Sequence, residues 1–95
     1  MPREFLVHIV LNVPSSVSPK ELAVLRTREK EAAASLAARG HLVRIWRVPG
    51  EWANWGLWRA KDESELNALL NTLPLRPYMK VDLHPTEPHP SDPAT

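Results

Sequence analysis

Apolar residues alternate with other residues along the first segment of the chain, which is the pattern of a β-strand with one buried face. The predicted strand covers residues 5–13 and ends at Pro14, which cannot donate a backbone hydrogen bond. Its second face mixes apolar residues with His8 and Asn12, so that face suits a cavity or a partner surface. The first face is apolar throughout and consists of Phe5, Val7, Ile9, Leu11 and Val13.

The pattern then changes to the helical period of about 3.6 residues. Ser18 is a typical N-cap, Pro19 suits the first helical position, and Glu21 completes the start signal. These residues predict a helix over 19–39, and Gly40 supplies a left-handed stop. The apolar stripe of this helix consists of Leu22, Leu25, Ala32, Ala33 and Leu36.

The remainder of the chain predicts two strands, a helix and a final strand. Residues 41–48 and 51–60 form the two strands, on either side of a turn at Pro49-Gly50. A capping pattern that begins at Asp62 predicts the second helix. Residues 77–84 form the last strand. The apolar stripe of the second helix consists of Leu66, Leu69, Leu70 and Leu73.

The element order β-α-β-β-α-β predicts an α+β domain of the ferredoxin-like class. In this class an antiparallel four-stranded sheet carries two helices on one face. We assign residues 1–84 to this single domain. Residues 85–95 are proline-rich, which excludes a helix or a central strand, and they predict an extended arm. Such an arm is either a disordered end or a segment that lies on a neighbouring subunit.

Composition narrows the function classes. A chain of 95 residues is one small domain, and small domains commonly need disulfides, metals or oligomerisation for stability. The chain has no cysteine, which excludes disulfides and cysteine nucleophiles, so we expect a homo-oligomer. A net charge of +1 provides no long-range field for nucleic acid or a membrane surface. The first apolar segment is a poor signal peptide, and we expect a cytoplasmic protein.

Glu29 lies on the apolar stripe of the first helix. At about 100° per residue, its offsets from Leu22 and Leu25 place it within about 40° of both. Burial of an unpaired carboxylate is costly and raises its pKa towards neutrality. A general base that takes a proton and returns it needs this property. The alternative is a structural ion pair with Arg44 or Arg47.

Other candidate chemistry is weaker. The histidines are scattered, without the spacing of a helical zinc site, and the three glycines are isolated, so the chain has no phosphate loop. Trp52 and Trp58 are expected to share a strand face with Asn54, with a small gap at Gly56. An apolar wall with one amide suits a flat ring ligand.

Several short segments, taken together, carry a resemblance to a known family. They are Val13-Pro14, Leu25 with Glu29-Lys30-Glu31, Arg39-Gly40, Ile45-Trp46-Arg47, Gly50 with Ala53-Asn54, Leu73 to Met79, and His89-Pro90. In this order and spacing they resemble the muconolactone Δ-isomerase family over nearly the whole chain.

The resemblance implies a ferredoxin-like fold and a ring-like homodecamer. It implies conversion of muconolactone to 3-oxoadipate enol-lactone, without a cofactor, in the catechol branch of the β-ketoadipate pathway. A near relative, chloromuconolactone dehalogenase, removes chloride from 5-chloromuconolactone. A small lactone is therefore the expected partner, together with further copies of the chain.

The resemblance also implies roles for individual residues. The catalytic carboxylate of the family falls on Glu29, and Asn54 is expected to donate a hydrogen bond to the dienolate oxygen. A cation is expected to hold the substrate carboxylate, and Tyr78 belongs to the matching segment near the last strand. The sequence leaves three candidate cations: Lys30, Arg47 and Arg76.

One segment departs from the family pattern. The family commonly has Gly-His-Tyr-Ala-Asn, where this chain has Gly50-Glu51-Trp52-Ala53-Asn54. Glu51 and Trp52 therefore stand in the expected substrate site with a different chemistry. This departure keeps open a substituted or chlorinated muconolactone as substrate. It also keeps open a non-catalytic ligand-binding or assembly protein and a cofactor-free monooxygenase of similar fold.

Overall fold

Residues 2–94 form a sheet with two helices on one side in a computed structural model of the chain. The sheet has the strand order β2-β3-β1-β4, and its neighbouring strands are antiparallel. This order confirms the predicted α+β, ferredoxin-like architecture. The elements are β1 (Arg3–Leu11), α1 (Pro19–Ala38), β2 (Leu42–Arg47), β3 (Ala53–Ala60), α2 (Glu63–Leu70), a short 3₁₀ helix (Arg76–Tyr78) and β4 (Met79–Pro85).

Both helices pack on the same face of the sheet, as predicted. The two predicted helix stripes and the predicted apolar face of β1 meet there, and burial of these apolar side chains stabilises the fold. Leu36 of α1 and Leu66 of α2 are almost completely buried. The buried core cluster consists of Phe5, Val7, Ile9, Leu36, Trp58, Ala60, Leu66, Leu70 and Leu73.

The helix ends follow the local signals in the sequence. The Ser18 hydroxyl accepts a hydrogen bond of 3.1 Å from the backbone N–H of Glu21, and Gly40 follows α1 with φ +82°. The Asp62 carboxylate accepts one of 2.8 Å from the backbone N–H of Glu65. These bonds satisfy backbone groups that the helix itself leaves unpaired.

Several predicted strand boundaries are wrong. The first strand covers residues 3–11 instead of 5–13, the second covers 42–47 instead of 41–48, and the last one extends to Pro85. Glu51 and Trp52 precede β3, because the backbone N–H of Glu51 donates to the carbonyl of Val48 at 3.2 Å and closes a tight turn. The last strand begins at Met79 instead of residue 77, because the preceding three residues form a 3₁₀ helix. Trp52 therefore lies in the turn before β3, at the end of the sheet, and is not part of the strand that carries Trp58. Asn54, Gly56 and Trp58 share one face of β3, as expected.

The second face of the sheet carries no helix. Leu6, Trp46 and Trp55 lie on this outer face and are 37%, 43% and 38% exposed. Beyond β4, Thr86 donates two hydrogen bonds to the carbonyl of Glu4, and most of the residues that follow, up to 94, are exposed. Within residues 2–94, no helix is long and apolar enough to cross a bilayer.

Candidate active site

A cavity of about 750 Å³ lies beside α1, at the end of the sheet where β1 ends and β3 begins. Its volume is within the range of small-molecule sites. Its lining consists of Leu11, Arg26, Ile45, Arg47, Glu51, Trp52, Ala53 and Asn54. Two arginines against one glutamate give this lining an excess of positive charge, which favours an anionic ligand.

Asn54 brings an uncharged polar group to the cavity wall. The sheet register places Asn54 between Arg47 of β2 and Ile9 of β1. Its Oδ1 atom is buried and has no hydrogen-bond partner among residues 2–94. A side-chain amide carries two N–H donors as well as an acceptor oxygen, so Asn54 can pair with either kind of ligand atom.

Glu29 is half-buried in the middle of α1. Its Oε1 atom accepts a hydrogen bond of 2.9 Å from the backbone N–H of Leu75. Burial raises the pKa of the Glu29 carboxyl above its ordinary value of 4.5, and the Leu75 hydrogen bond opposes this rise. Among residues 2–94 the ion pair found is Arg59–Glu4, so no arginine neutralises Glu29. The alternative of a structural ion pair is therefore wrong.

Glu29 and the cavity lie at the same end of the sheet. Arg26, which lines the cavity, precedes Glu29 by one helical turn on the same side of α1. The segment that contains Leu75, the hydrogen-bond partner of Glu29, leads into Tyr78. The carbonyl of Tyr78 accepts a hydrogen bond of 2.8 Å from the backbone N–H of Asn12, which directly follows β1. Leu11, the preceding residue, lines the cavity. The carboxylate itself is not part of the lining.

The chain is similar in sequence to known muconolactone isomerases. A family profile described as Muconolactone delta-isomerase matches residues 3–92. The Muconolactone Delta-isomerase of Cupriavidus pinatubonensis is 36% identical over 87 residues, covering 92% of this chain and 95% of that protein. Muconolactone Delta-isomerase 1 of Acinetobacter lwoffii is 33% identical, covering 92% of this chain and 91% of that protein.

The chain belongs to the muconolactone Δ-isomerase family.

The fold agrees with this assignment. A crystal structure of muconolactone isomerase superposes with a TM-score of 0.87 at 30% sequence identity, covering 95% of this chain and 94% of that one. The family is one of isomerases, and the family resemblance of the sequence is thereby confirmed.

The structure brings together part of the set of residues that the family resemblance selected. Arg47, Glu51, Trp52 and Asn54 all line the cavity. Four others, Glu29 among them, lie outside the lining. Lys30 is exposed on α1, Tyr78 is half-buried in the 3₁₀ helix, and Arg76 donates from Nη1 to the carbonyl of Met79 at 3.2 Å. Of the three candidate cations, Arg47 is thus the one at the cavity wall.

The gap predicted at Gly56 does not exist. The indole of Trp58 is 3% exposed and covers Gly56, so a Cβ atom at residue 56 would lie 2.6 Å from its Nε1 atom. Trp58 therefore belongs to the core, and of the two tryptophans expected on the pocket wall only Trp52 lines the cavity. Residues 2–94 hold no group of three His, Cys, Asp or Glu side chains arranged for a metal ion.

Arg26 is a site residue that the sequence pattern did not indicate. It lies outside the apolar stripe of α1, and its place at the cavity depends on Trp52, which is remote in sequence. The Cζ atom of Arg26 lies 4.6 Å from the centroid of the Trp52 ring. The one local signal is its spacing of three residues from Glu29, which puts both side chains on the same side of the helix.

Proposed function

We propose that this protein converts muconolactone to 3-oxoadipate enol-lactone by an allylic proton shift in the breakdown of catechol. The observation that carries the proposal is the state of Glu29. It is a half-buried carboxylate without a cationic partner among residues 2–94, and its pKa is raised by burial. A group of this kind accepts a proton and releases it again at moderate cost. The names of the related proteins support the choice of substrate.

In the first step, ionised Glu29 removes the proton from the ring carbon that carries the carboxymethyl group. The electron pair of the broken C–H bond moves into the ring, and the negative charge develops on the lactone carbonyl oxygen as a dienolate. Glu29 becomes a neutral acid, which is the form that its half-buried position favours.

In the second step, the Glu29 acid returns the proton to the carbon next to the lactone carbonyl. The ring double bond then lies one position further from that carbonyl, and Glu29 is again a carboxylate. Atoms and electrons balance within the substrate and this one side chain, so the proposed step needs no co-reactant. One base serves both positions when the proton stays on one face of the ring.

Asn54 and Arg47 complete the proposed chemistry. They are register partners on β3 and β2, and both line the cavity. We assign to the Asn54 amide N–H a hydrogen bond to the dienolate oxygen, and to Arg47 a positive charge beside it. A donor already oriented towards developing negative charge contributes about 3–4 kcal/mol in enzymes where it has been removed.

A substituted muconolactone is the second candidate substrate. Glu51 and Trp52 both line the cavity and differ from the family pattern. Both are exposed at its edge, so they contact substituents more readily than the reacting carbons. A lactone that carries the chloro or methyl group at any other carbon retains the same acidic C–H bond, and Glu29 would perform the same proton transfer.

Incubation of the purified protein with muconolactone, followed by proton NMR, tests the proposed activity. We expect the vinyl signals of the substrate to be replaced by those of the enol-lactone. The chloro- and methyl-substituted lactones are assayed in parallel, and faster turnover of one of these identifies it as the substrate. Binding of all three lactones without turnover would contradict the proposal and favour a ligand-binding protein.

We also propose that the protein is a cytoplasmic homo-oligomer, a decamer built from dimers, as the family resemblance suggests. Support comes from the outer face of the sheet, where Leu6, Trp46 and Trp55 expose apolar surface. Aromatic rings from three strands pack there at tilted angles: the ring centroid of Trp55 lies 4.7 Å from that of His8 and 5.8 Å from that of His84. A second copy would bury this face, and a small domain gains stability from such burial. Pro85 belongs to β4 and residue 95 lies outside the described residues, and we assign the rest of the predicted 85–95 arm to contact with a neighbouring copy.

A further inference from the structure

We propose that Arg26 and Trp52 form a clamp for the carboxylate of the substrate. The Arg26 guanidinium binds the carboxylate, and the Trp52 indole positions Arg26. This inference rests on the proposed function, because it takes the carboxymethyl lactone as the ligand. It adds a residue that lies outside the three candidate cations and gives Trp52 a definite part in binding.

The clamp is a cation–π contact at the mouth of the cavity. The guanidinium carbon of Arg26 lies 4.6 Å from the centroid of the Trp52 ring, and both side chains line the cavity. The backbone carbonyl of Trp52 accepts a hydrogen bond of 2.8 Å from Leu11, which ties the base of this side chain to the end of β1. The indole is 61% exposed and keeps surface free for a ligand.

The hydrogen-bonding capacity of Arg26 is unused. No carboxylate among residues 2–94 lies within salt-bridge distance of it. A guanidinium that lies over an indole still has N–H groups available for the two oxygens of a carboxylate. The stacking also restricts the flexible side chain before the ligand arrives, which lowers the entropic cost of binding.

The chemistry of the substrate places this clamp beside the base. The carboxymethyl arm is attached to the same ring carbon that loses its proton to Glu29. The anchor for the arm and the base must therefore be neighbours. Arg26 and Glu29 satisfy this condition, because residues three apart on a helix have Cβ atoms about 5–6 Å apart. Lys30 is one helical turn from Arg26 on α1, but it is exposed and lies outside the cavity lining.

Steady-state kinetics of Arg26→Gln separate binding from chemistry. We expect KM for muconolactone to rise at least about tenfold, as for loss of a charge-assisted hydrogen-bond pair, while kcat changes much less. Arg28→Gln is the matched control, because Arg28 is an exposed arginine of the same helix outside the cavity lining. An equal rise in KM for Arg28→Gln would overturn the proposal. The proposal would also be overturned if KM rose for Arg47→Gln and stayed unchanged for Arg26→Gln.

A second comparison tests whether Trp52 acts through Arg26. We expect Trp52→Ala to raise KM, and the double variant Arg26→Gln/Trp52→Ala to be no worse than Arg26→Gln alone. Additive effects of the two substitutions would show independent contributions and would contradict the clamp.

Titration calorimetry with an unreactive ligand separates this proposal from the proposed activity. The probe is the saturated lactone that carries the carboxymethyl group, compared with its uncharged methyl ester. We expect the acid to bind the wild-type protein at least about tenfold more tightly than the ester. Arg26→Gln is expected to remove this preference and Arg28→Gln to retain it. A preference that survives in Arg26→Gln overturns the clamp, whether or not the protein turns over muconolactone.

Discussion

The backbone N–H of Leu75 donates a hydrogen bond of 2.9 Å to Oε1 of Glu29, and this contact joins α1 to the loop that precedes β4. It holds the carboxylate in a half-buried position, where no cation among residues 2–94 neutralises it. The Leu75 hydrogen bond orients the Glu29 carboxylate. Because the donor is an uncharged N–H group and not a cation, the carboxylate can still take up a proton.

We expect the loss of activity at low pH to follow the protonation of Glu29. Burial raises the pKa of this carboxyl above 4.5, and the proposed base must be ionised to act. We therefore expect kcat/KM for muconolactone to fall as pH decreases, with an apparent pKa above 4.5. Initial rates of muconolactone turnover measured between pH 4 and 8, over the range in which the protein stays folded, test this pH dependence. Full activity maintained below pH 4.5 would contradict it.

Glu29 also lowers the stability of the fold at neutral pH. Because its pKa is raised in the folded state, the folded protein binds more protons than the unfolded chain above pH 4.5. The free energy of unfolding contributed by this group therefore falls as pH rises through that region. We expect Glu29→Gln to be more stable than the wild type at pH 7, with a difference that shrinks towards pH 4.

Urea denaturation at several pH values measures this difference. Glu31→Gln is the matched control, since it removes an exposed carboxylate from the same helix. A stability difference for Glu29→Gln that is constant with pH, or that grows on acidification, would contradict the expected linkage.

Gly56 is required by the packing of Trp58. A Cβ atom at residue 56 would lie 2.6 Å from Trp58 Nε1, and the indole is 3% exposed, so it has little room to move. We expect Gly56→Ala to destabilise the protein by about 1–3 kcal/mol, the usual cost of overpacking a core. Urea denaturation measures the loss. In a Trp58→Phe background the same substitution is expected to cost less, and an unchanged cost would exclude the indole as its cause.

The outer face of the sheet is the proposed dimer surface, and the Trp55 ring on this face contacts the rings of His8 and His84. We expect Trp55→Lys to reduce the mass measured by light scattering towards the 10.8 kDa of one chain, because a charge would be buried in an apolar interface. Trp55→Phe, which stays apolar, is expected to preserve the assembly. A Trp55→Lys variant with the wild-type mass would exclude this face.

The order of elements was predictable because its signals are local. Ser18 and Gly40 delimit α1, and the hydrogen bond from Glu21 to Ser18 confirms the cap. Glu29 was also predictable, because helical periodicity alone places it on the buried side. Its backbone partner was not, since Leu75 reaches it through tertiary packing of a distant loop.

The cavity wall was harder to predict, because it depends on contacts between remote segments. The sequence pattern predicts Trp52 in the strand, but the turn closed by Glu51 and Val48 places it before β3, at the end of the sheet. Arg26 then reaches the cavity by stacking on Trp52. Within α1 only its spacing of three residues from Glu29 distinguishes Arg26 from Arg28, and this spacing alone does not indicate a cavity.

The turnover number of Glu29→Gln on muconolactone tests the central claim most directly. Glutamine keeps an oxygen that can accept the Leu75 hydrogen bond but cannot act as a base, so the fold is expected to remain intact. The account predicts that kcat falls by about 10²- to 10⁴-fold, the usual contribution of a positioned acid–base group. It predicts an unchanged kcat for Glu31→Gln. A folded Glu29→Gln variant with the wild-type kcat would contradict the assignment of Glu29 as the base.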